Sequence, residues 1–86
     1  MTDKELLLTI TAEECGELTR ACCKILRHGT NKKRLTNLME EAGDVLCLID
    51  LLIENGYLKK REIQTRIKVK KTKMKKRHEN LKNLIK

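Results

Sequence analysis

The amino-acid sequence predicts an all-α fold: an antiparallel bundle of about three helices per chain, completed by oligomerisation. Proline is absent and Tyr57 is the single aromatic residue, whereas Leu, Ile, Lys and Glu are plentiful, a composition that favours helix over sheet. Apolar residues recur at helical spacing, and Gly29 and Gly56 lie where two of these periodic stretches end. Residues 1–86 are expected to form one helical domain with a modest core.

The first helix is predicted from about Asp3 to His28. Thr2 and Glu5 have the three-residue spacing of a capping box, and Gly29 follows as a C-terminal stop. The apolar residues of this segment share one broad face, which contains Leu7, Ile10, Leu18, Ala21, Cys22 and Ile25. This face is expected to pack against the second helix.

The second helix is predicted to begin near Asn37, after a polar loop over residues 30–35. Asn37 has a side chain that caps helices, and Glu40 is placed to reach back to it. The helix is predicted to end at Asn55. Because the segment after Asp44 is apolar nearly all round, we expect a second copy of the chain to help cover it.

The third helix is predicted from about Lys59 to Ile85 and is strongly basic. Its apolar stripe is thin, and Lys70 and His78 interrupt it. The N-terminal end is poorly marked, because the basic residues there oppose the helix dipole.

The charge is divided unevenly along the chain. Residues 1–57 carry seven Lys/Arg and ten Asp/Glu, a net charge of −3. Residues 58–86 carry thirteen Lys/Arg and two Glu, a net charge of +11. An acidic front and a basic tail suit a metal ion and a polyanion, respectively.

Nothing in the sequence predicts a membrane span or a secretion signal. No apolar run reaches the ~18 residues of a membrane helix, and residues 1–5 are polar with mixed charge. The four cysteines include no Cys-x-x-Cys pair, and no His is placed to complete a zinc site. We therefore expect free thiols packed on apolar helical faces in a reducing cytoplasm, with a disulfide between two of them as the alternative.

A short acidic pattern occurs twice, at an offset of 27 residues. Residues 13–17 read Glu-Glu-Cys-Gly-Glu, and residues 40–44 read Glu-Glu-Ala-Gly-Asp. In each copy, two acids three residues apart share one helical face and continue an apolar stripe; these acids are Glu14, Glu17, Glu41 and Asp44. Carboxylates that enter a helical core need neutralisation, which favours a site for Mg²⁺ or Mn²⁺.

Several alternatives remain open for this acidic pattern. Acids at the rim of an apolar stripe are also compatible with solvation or pairing with lysine, and Gly16 and Gly43 fit either close helix packing or space for a ligand. A di-iron site is the weaker interpretation, because neither motif contains Glu-x-x-His. Asp50 is a second-rank ligand candidate, since a hairpin that closes at residues 29–36 would place it opposite Glu14.

At these residues the chain resembles the MazG-like, all-α nucleoside triphosphate pyrophosphohydrolases of the small bacterial and phage type. Their signature is Glu-Glu-x-x-Glu followed by Glu-x-x-Asp, and the resemblance covers about residues 5–75. It implies a homodimer or homotetramer, Mg²⁺ on the four acids, and cleavage of a nucleotide between its α- and β-phosphates. Carried over by position, the metal ligands are Glu14, Glu17, Glu41 and Asp44, and Glu13 and Glu40 are candidates for orienting ligands or water.

A triphosphate substrate also needs basic partners. The candidates are Lys24 and Arg27 on the first helix and Arg66, Lys70 and Lys73 on the third. Base stacking has one available side chain, Tyr57, so tight base discrimination is not predicted. Two other functions compete with the enzyme: a non-enzymatic helical protein that binds nucleic acid through its basic tail, and a degenerate assembly module, against which the presence of all four acids argues.

Overall fold

The computed structural model describes residues 1–86 as three α-helices and one 3-10 helix. The α-helices are α1 (Asp3–His28), α2 (Lys32–Glu54) and α3 (Lys60–Arg77), and the 3-10 helix η1 covers Glu79–Leu84. Helix accounts for 85% of the residues and no strand is present, so the all-α prediction is confirmed. The chain forms two compact units, Met1–Asn55 and Gly56–Lys86. None of the helices combines the length and the apolarity that crossing a membrane would require.

Both ends of α1 follow the sequence prediction. The Thr2 hydroxyl accepts a hydrogen bond from the Glu5 backbone N–H at 3.1 Å, and the Thr2 backbone N–H donates to Glu5 Oε1 at 3.0 Å. These reciprocal bonds form the capping box. Gly29 ends the helix with φ at 88°, a conformation that glycine adopts without a steric cost.

The predicted start of α2 near Asn37 is wrong, because the helix begins at Lys32. The cap is Asn31, whose Oδ1 accepts from the Arg34 backbone N–H at 2.8 Å. Arg34 Nη1 in turn donates to the backbone oxygens of His28 and Gly29, both at 3.0 Å. Residues 32–35 of the predicted loop are therefore the first turn of a helix, and the connection between α1 and α2 is three residues long.

The α1–α2 hairpin has a small core. Four residues are buried: Ala21, Val45, Leu48 and Leu52. Other large apolar side chains stay in solvent, and Leu26, Met39 and Leu46 are 85%, 68% and 61% exposed. This exposure is consistent with an unsatisfied apolar surface on a short chain, and oligomerisation stays a prediction.

All four cysteines are free and exposed, which corrects the expectation that they pack into apolar faces. Their spacing along α1 and α2 matched an apolar stripe. The hairpin core is too narrow to cover the whole of that stripe.

In the second unit, α3 is shorter than predicted. It ends at Arg77 rather than Ile85, and His78 leaves the helical region with φ at −127° and ψ at 79°. The chain then folds back as η1, and Lys71 Nζ donates to the backbone oxygen of Lys86 at 3.3 Å. The apolar residues at positions 74, 81 and 85 are half-buried here, so they pack across a turn and not along one helix.

The capping box makes the stability of α1 sensitive to acid. Hydrogen bonds from the backbone and side chain of Thr2 hold the pKa of Glu5 below its usual range. Because the pKa of Glu5 is lower in the folded state, its ionised carboxylate stabilises the fold at pH values above the unfolded-state pKa. This stabilisation is lost as the pH falls through the folded-state pKa. We expect the thermal midpoint of the wild type to fall more on acidification than that of Glu5→Gln, measured by circular dichroism.

The control for this comparison is Glu54→Gln, which removes an exposed carboxylate from the last turn of α2, outside the capping box. That variant should keep the acid sensitivity of the wild type. Equal acid sensitivity in wild type and Glu5→Gln would show that the charged capping box does not contribute.

Candidate metal centre

Helices α1 and α2 bring three carboxylates to one place on the hairpin. Glu14, Glu41 and Asp44 each offer an oxygen, and these oxygens all lie within 4.8 Å of one another. Glu14 and Glu41 are half-buried, and Asp44 is exposed. The group draws on both acidic motifs, one residue from the first and two from the second.

The short connection between the helices explains why these residues meet. A symmetric pairing about a loop of residues 29–31 places Glu14 opposite Leu46, within about 1.5 helical turns of Glu41 and Asp44. The longer loop expected from the sequence placed Glu14 opposite Asp50. In the structure Asp50 is exposed and is not part of the acidic group.

The acidic group is electrostatically unfavourable by itself. Partial burial raises the pKa of Glu14, and the negative charges of Asp44, Glu41 and Glu17 raise it further. A hydrogen bond with Asp44 acts in the same direction. The two ion pairs of the chain, Arg20–Glu17 and Lys82–Glu79, leave the three acids without a basic partner. An all-oxygen donor set with excess negative charge fits a hard divalent cation.

Of the four predicted metal ligands, Glu17 alone lies outside this group. Its Oε1 lies 3.3 Å from Arg20 Nη2, and its side chain is 45% exposed. Its charge still contributes to the raised pKa of Glu14, so it lies close to the site. Sequence reasoning did not single out Arg20, although its position three residues after Glu17 is the spacing of a helical ion pair.

Both motif glycines border open space. A Cβ atom built on Gly16 or Gly43 would meet no atom within 4 Å outside its own helical turn. Close packing within the chain therefore does not explain either glycine. The space beside the last acid of each motif is free.

The remaining candidates on the hairpin lie around its surface. Glu13, Glu40, Lys24 and Arg27 are exposed. Lys24 lines a surface hollow of about 330 Å³ together with Asn31, Lys33, Arg34 and Asn37, which belong to the loop and the first turns of α2. Glu40 lines a second hollow with Lys32, Lys33, Thr36 and Asn37. The sequence interpretation assigned Lys33 and Arg34 to a loop and missed their proximity to Lys24.

The basic candidates of α3 are exposed within the second unit. Arg66 and Lys70 line a surface hollow of about 380 Å³ with Ile63, Ile67 and Lys71, and Lys73 lies one turn further along the helix.

Fold and site together define an all-α protein with a candidate divalent-metal centre. The family model described as the MazG nucleotide pyrophosphohydrolase domain matches residues 2–82, and the chain belongs to this family. Comparison with curated proteins and with solved structures gave no significant match. The match to the family model confirms the resemblance inferred from the acidic motifs. Enzymes of this family hydrolyse nucleotides and generally depend on a divalent metal.

Proposed function

We propose that this protein is a Mg²⁺-dependent nucleotide pyrophosphohydrolase. It cleaves ribo- or deoxyribonucleoside triphosphates between the α- and β-phosphates and releases a monophosphate and pyrophosphate. The observation that carries the proposal is the meeting of Glu14, Glu41 and Asp44 within 4.8 Å, in a chain of the MazG family.

In this proposal the three clustered carboxylates hold Mg²⁺, with Mn²⁺ as a substitute. When bound, the cation neutralises phosphate charge and makes a water molecule more acidic. The protein residues fix its position on the two rigid helices. Glu13 and Glu40 each directly precede a proposed ligand in the sequence. We propose that they orient the ligands or the attacking water.

Glu17 completes the ligand set when it leaves Arg20. Both side chains of this pair reach solvent, Glu17 at 45% and Arg20 at 72% exposed, so the ion pair is weak and reversible. The fourth acid is therefore available at a small cost, and Arg20 competes with the metal for it.

Removal of this competitor should make the metal bind more readily. We expect Arg20→Gln to lower the Mg²⁺ concentration for half-maximal activity by up to about fivefold, because an exposed ion pair contributes at most ~1 kcal/mol. A metal titration of pyrophosphate release measures the change. The matched variant Arg61→Gln removes an exposed arginine of the second unit and should behave as wild type. A higher Mg²⁺ requirement in Arg20→Gln would contradict the competition.

We assign the binding of the substrate phosphates to basic residues. On the hairpin, Lys24 is the first candidate because it shares a hollow with Lys33 and Arg34, and Arg27 lies nearby in sequence. In the second unit the candidates are Arg66, Lys70 and Lys73. Each supplies a cation for an oxygen of the triphosphate, and none supplies a base-reading group.

We also propose that the protein works as a homodimer or homotetramer. The apolar side chains of Leu35, Met39 and Leu46 follow one face of α2 and are 48%, 68% and 61% exposed. A second hairpin laid on this face would enlarge a core of four residues.

A substrate panel tests the proposed reaction. Each common NTP and dNTP is incubated with the protein in Mg²⁺, in Mn²⁺ and in EDTA, and the products are separated by anion exchange. The proposal expects monophosphate and pyrophosphate with either metal and none in EDTA. Release of diphosphate and inorganic phosphate would contradict the assigned bond. An inert protein with every substrate and both metals would instead favour a degenerate assembly module.

A further inference from the structure

The second unit, Gly56–Lys86, concentrates much more positive charge than the three residues that we assign to the substrate phosphates. It contains thirteen Lys/Arg and two Glu. Within α3 no basic side chain pairs with an acidic side chain, Lys71 alone donates to a backbone oxygen (that of Lys86), and Glu62 is the single acid. No residue of α3 is buried. A helix that carries this much unpaired charge repels itself unless a polyanion binds it.

The charge of α3 is arranged in two rows. One row, at spacings of three and four residues, contains Arg66, Lys70, Lys73 and Arg77, and it extends about 16 Å along the axis. The other row contains Lys60, Lys68, Lys71 and Lys75. The rows flank a narrow apolar stripe formed by Ile63, Ile67 and Met74, and η1 packs against α3 near the end of this stripe.

The face opposite the apolar stripe has small side chains over its middle part, and Arg61 and Lys76 lie on it toward its two ends. It contains Thr65, Val69 and Thr72, and the two threonine hydroxyls donate to backbone oxygens of their own helix. Between Arg61 and Lys76 this face carries no long side chain, and a row of cations lies on either side of it. Asn, Gln and Arg are the side chains that read bases by paired hydrogen bonds, and none of them lies at the centre of this face.

We propose that the second unit binds duplex DNA through the phosphate backbone, independently of sequence, with α3 lying along the major groove. An α-helix with its side chains is about 10–12 Å wide, and the major groove is about 12 Å wide. The small outer face of α3 then meets the groove floor, and the two cation rows reach the phosphates of the two strands. α3 is 18 residues long, or about 27 Å, which suits this position.

Other polyanions fit these features less well. Anionic membranes bind helices with a broad apolar face, and the apolar stripe of α3 is narrow. Single strands are held largely by aromatic stacking, and Tyr57 is the one aromatic residue. The major groove of duplex RNA is too narrow and deep for a helix. The acidic unit of another copy carries too little charge, since residues 1–57 have a net charge of only −3.

Fluorescence anisotropy with a labelled duplex of mixed sequence tests the proposal. The full chain is used in EDTA and without nucleotide, so the outcome is independent of hydrolase activity. We expect a steep salt dependence, with affinity falling about 10³-fold between ~50 and ~200 mM salt, as for six or more phosphate contacts. A second duplex of unrelated sequence should bind equally well.

A pair of matched double variants locates the surface. Lys68→Gln with Lys75→Gln should weaken binding about tenfold or more near 0.1 M salt and reduce the salt slope by about 2. Lys32→Gln with Lys33→Gln removes the same charge from the hairpin and should change little. Circular dichroism checks that helix content is retained in both.

Four results would overturn the proposal. They are no binding at low salt, equal weakening by the two double variants, equal affinity for duplex RNA, and preferential binding of vesicles that contain phosphatidylserine. The last result would assign α3 to a membrane surface.

Discussion

Replacing Glu41 by Gln is expected to reduce pyrophosphate release by about 10³-fold or more. The substitution removes one negative ligand from the acidic group while keeping the size of the side chain. A metal that stabilises charge on the transferred phosphate contributes several kcal/mol, and each ~1.4 kcal/mol corresponds to a tenfold change in rate. The measurement is the initial rate of pyrophosphate release at saturating Mg²⁺.

The same variant should be more stable than wild type in EDTA. Burial and the neighbouring negative charges raise the pKa of Glu14, as expected for carboxylates that repel one another without a cation. Loss of one charge from Glu41 relieves that repulsion. A higher thermal midpoint together with lost activity would show that Glu41 serves the site and does not support the fold. The control Glu54→Gln lies on the same helix, is exposed, and should change neither quantity.

Two outcomes would contradict this account of Glu41. One is retention of activity in Glu41→Gln at saturating metal. The other is loss of helix content in that variant, which would mean that the carboxylate supports the fold.

Replacing Leu52 by Ala is expected to destabilise the hairpin strongly. Leu52 is 5% exposed, one of four buried residues in the core. Truncation of a buried leucine costs about 2–5 kcal/mol, and a unit of about 55 residues has a total free energy of unfolding of only ~3–8 kcal/mol. We expect most of the helical signal at 222 nm to be lost at room temperature or the urea midpoint to fall to a small fraction of the wild-type value.

Leu46→Ala is the informative comparison for this variant. Leu46 is on the same helix but is 61% exposed, so its truncation should change the free energy of unfolding by less than about 0.5 kcal/mol in a monomer. A large loss that depends on protein concentration would instead show that a second copy covers this face. A midpoint for Leu52→Ala equal to that of wild type would contradict the assigned core.

The parts of the fold that depend on local signals were predictable from the sequence. The capping box of Thr2 and Glu5 and the stop at Gly29 need only residues within one turn, so the bounds of α1 are as predicted. The predicted start of α2 was wrong because Asn31 and Asn37 are equally good N-cap residues by residue type. Their difference lies in tertiary contacts, since Arg34 ties the first turn of α2 to the end of α1.

The end of α3 was missed because no Gly or Pro marks it. A run of basic residues, Lys75 to Arg77, occupies the last turn, where cations favour a helix terminus, but the same residues are also good helix formers. Sequence alone therefore gave no reason to end the helix at that point. The half-buried contacts of Met74, Leu81 and Ile85 depend on the chain turning back at His78.

The candidate site was predictable within each helix but not between helices. Spacing of three residues places Glu41 and Asp44 on one face regardless of the rest of the fold. Which residue of α1 they meet depends on the length of the loop, and an error of a few residues there pointed to Asp50. The position of Glu17 depends on a choice of side-chain partner. Its spacing from Arg20 permits the ion pair, but whether Glu17 pairs with Arg20 or joins the acidic group is a small energy difference that spacing does not decide.

The most direct test of the metal centre is the binding of Mn²⁺, followed as the loss of the free-ion signal in electron paramagnetic resonance. The wild type and Glu54→Gln should both take up Mn²⁺, whereas Glu14→Gln should leave most of it free under the same conditions. Equal uptake by Glu14→Gln and wild type, or no uptake by the wild type, would contradict the claim that α1 and α2 jointly hold a divalent cation.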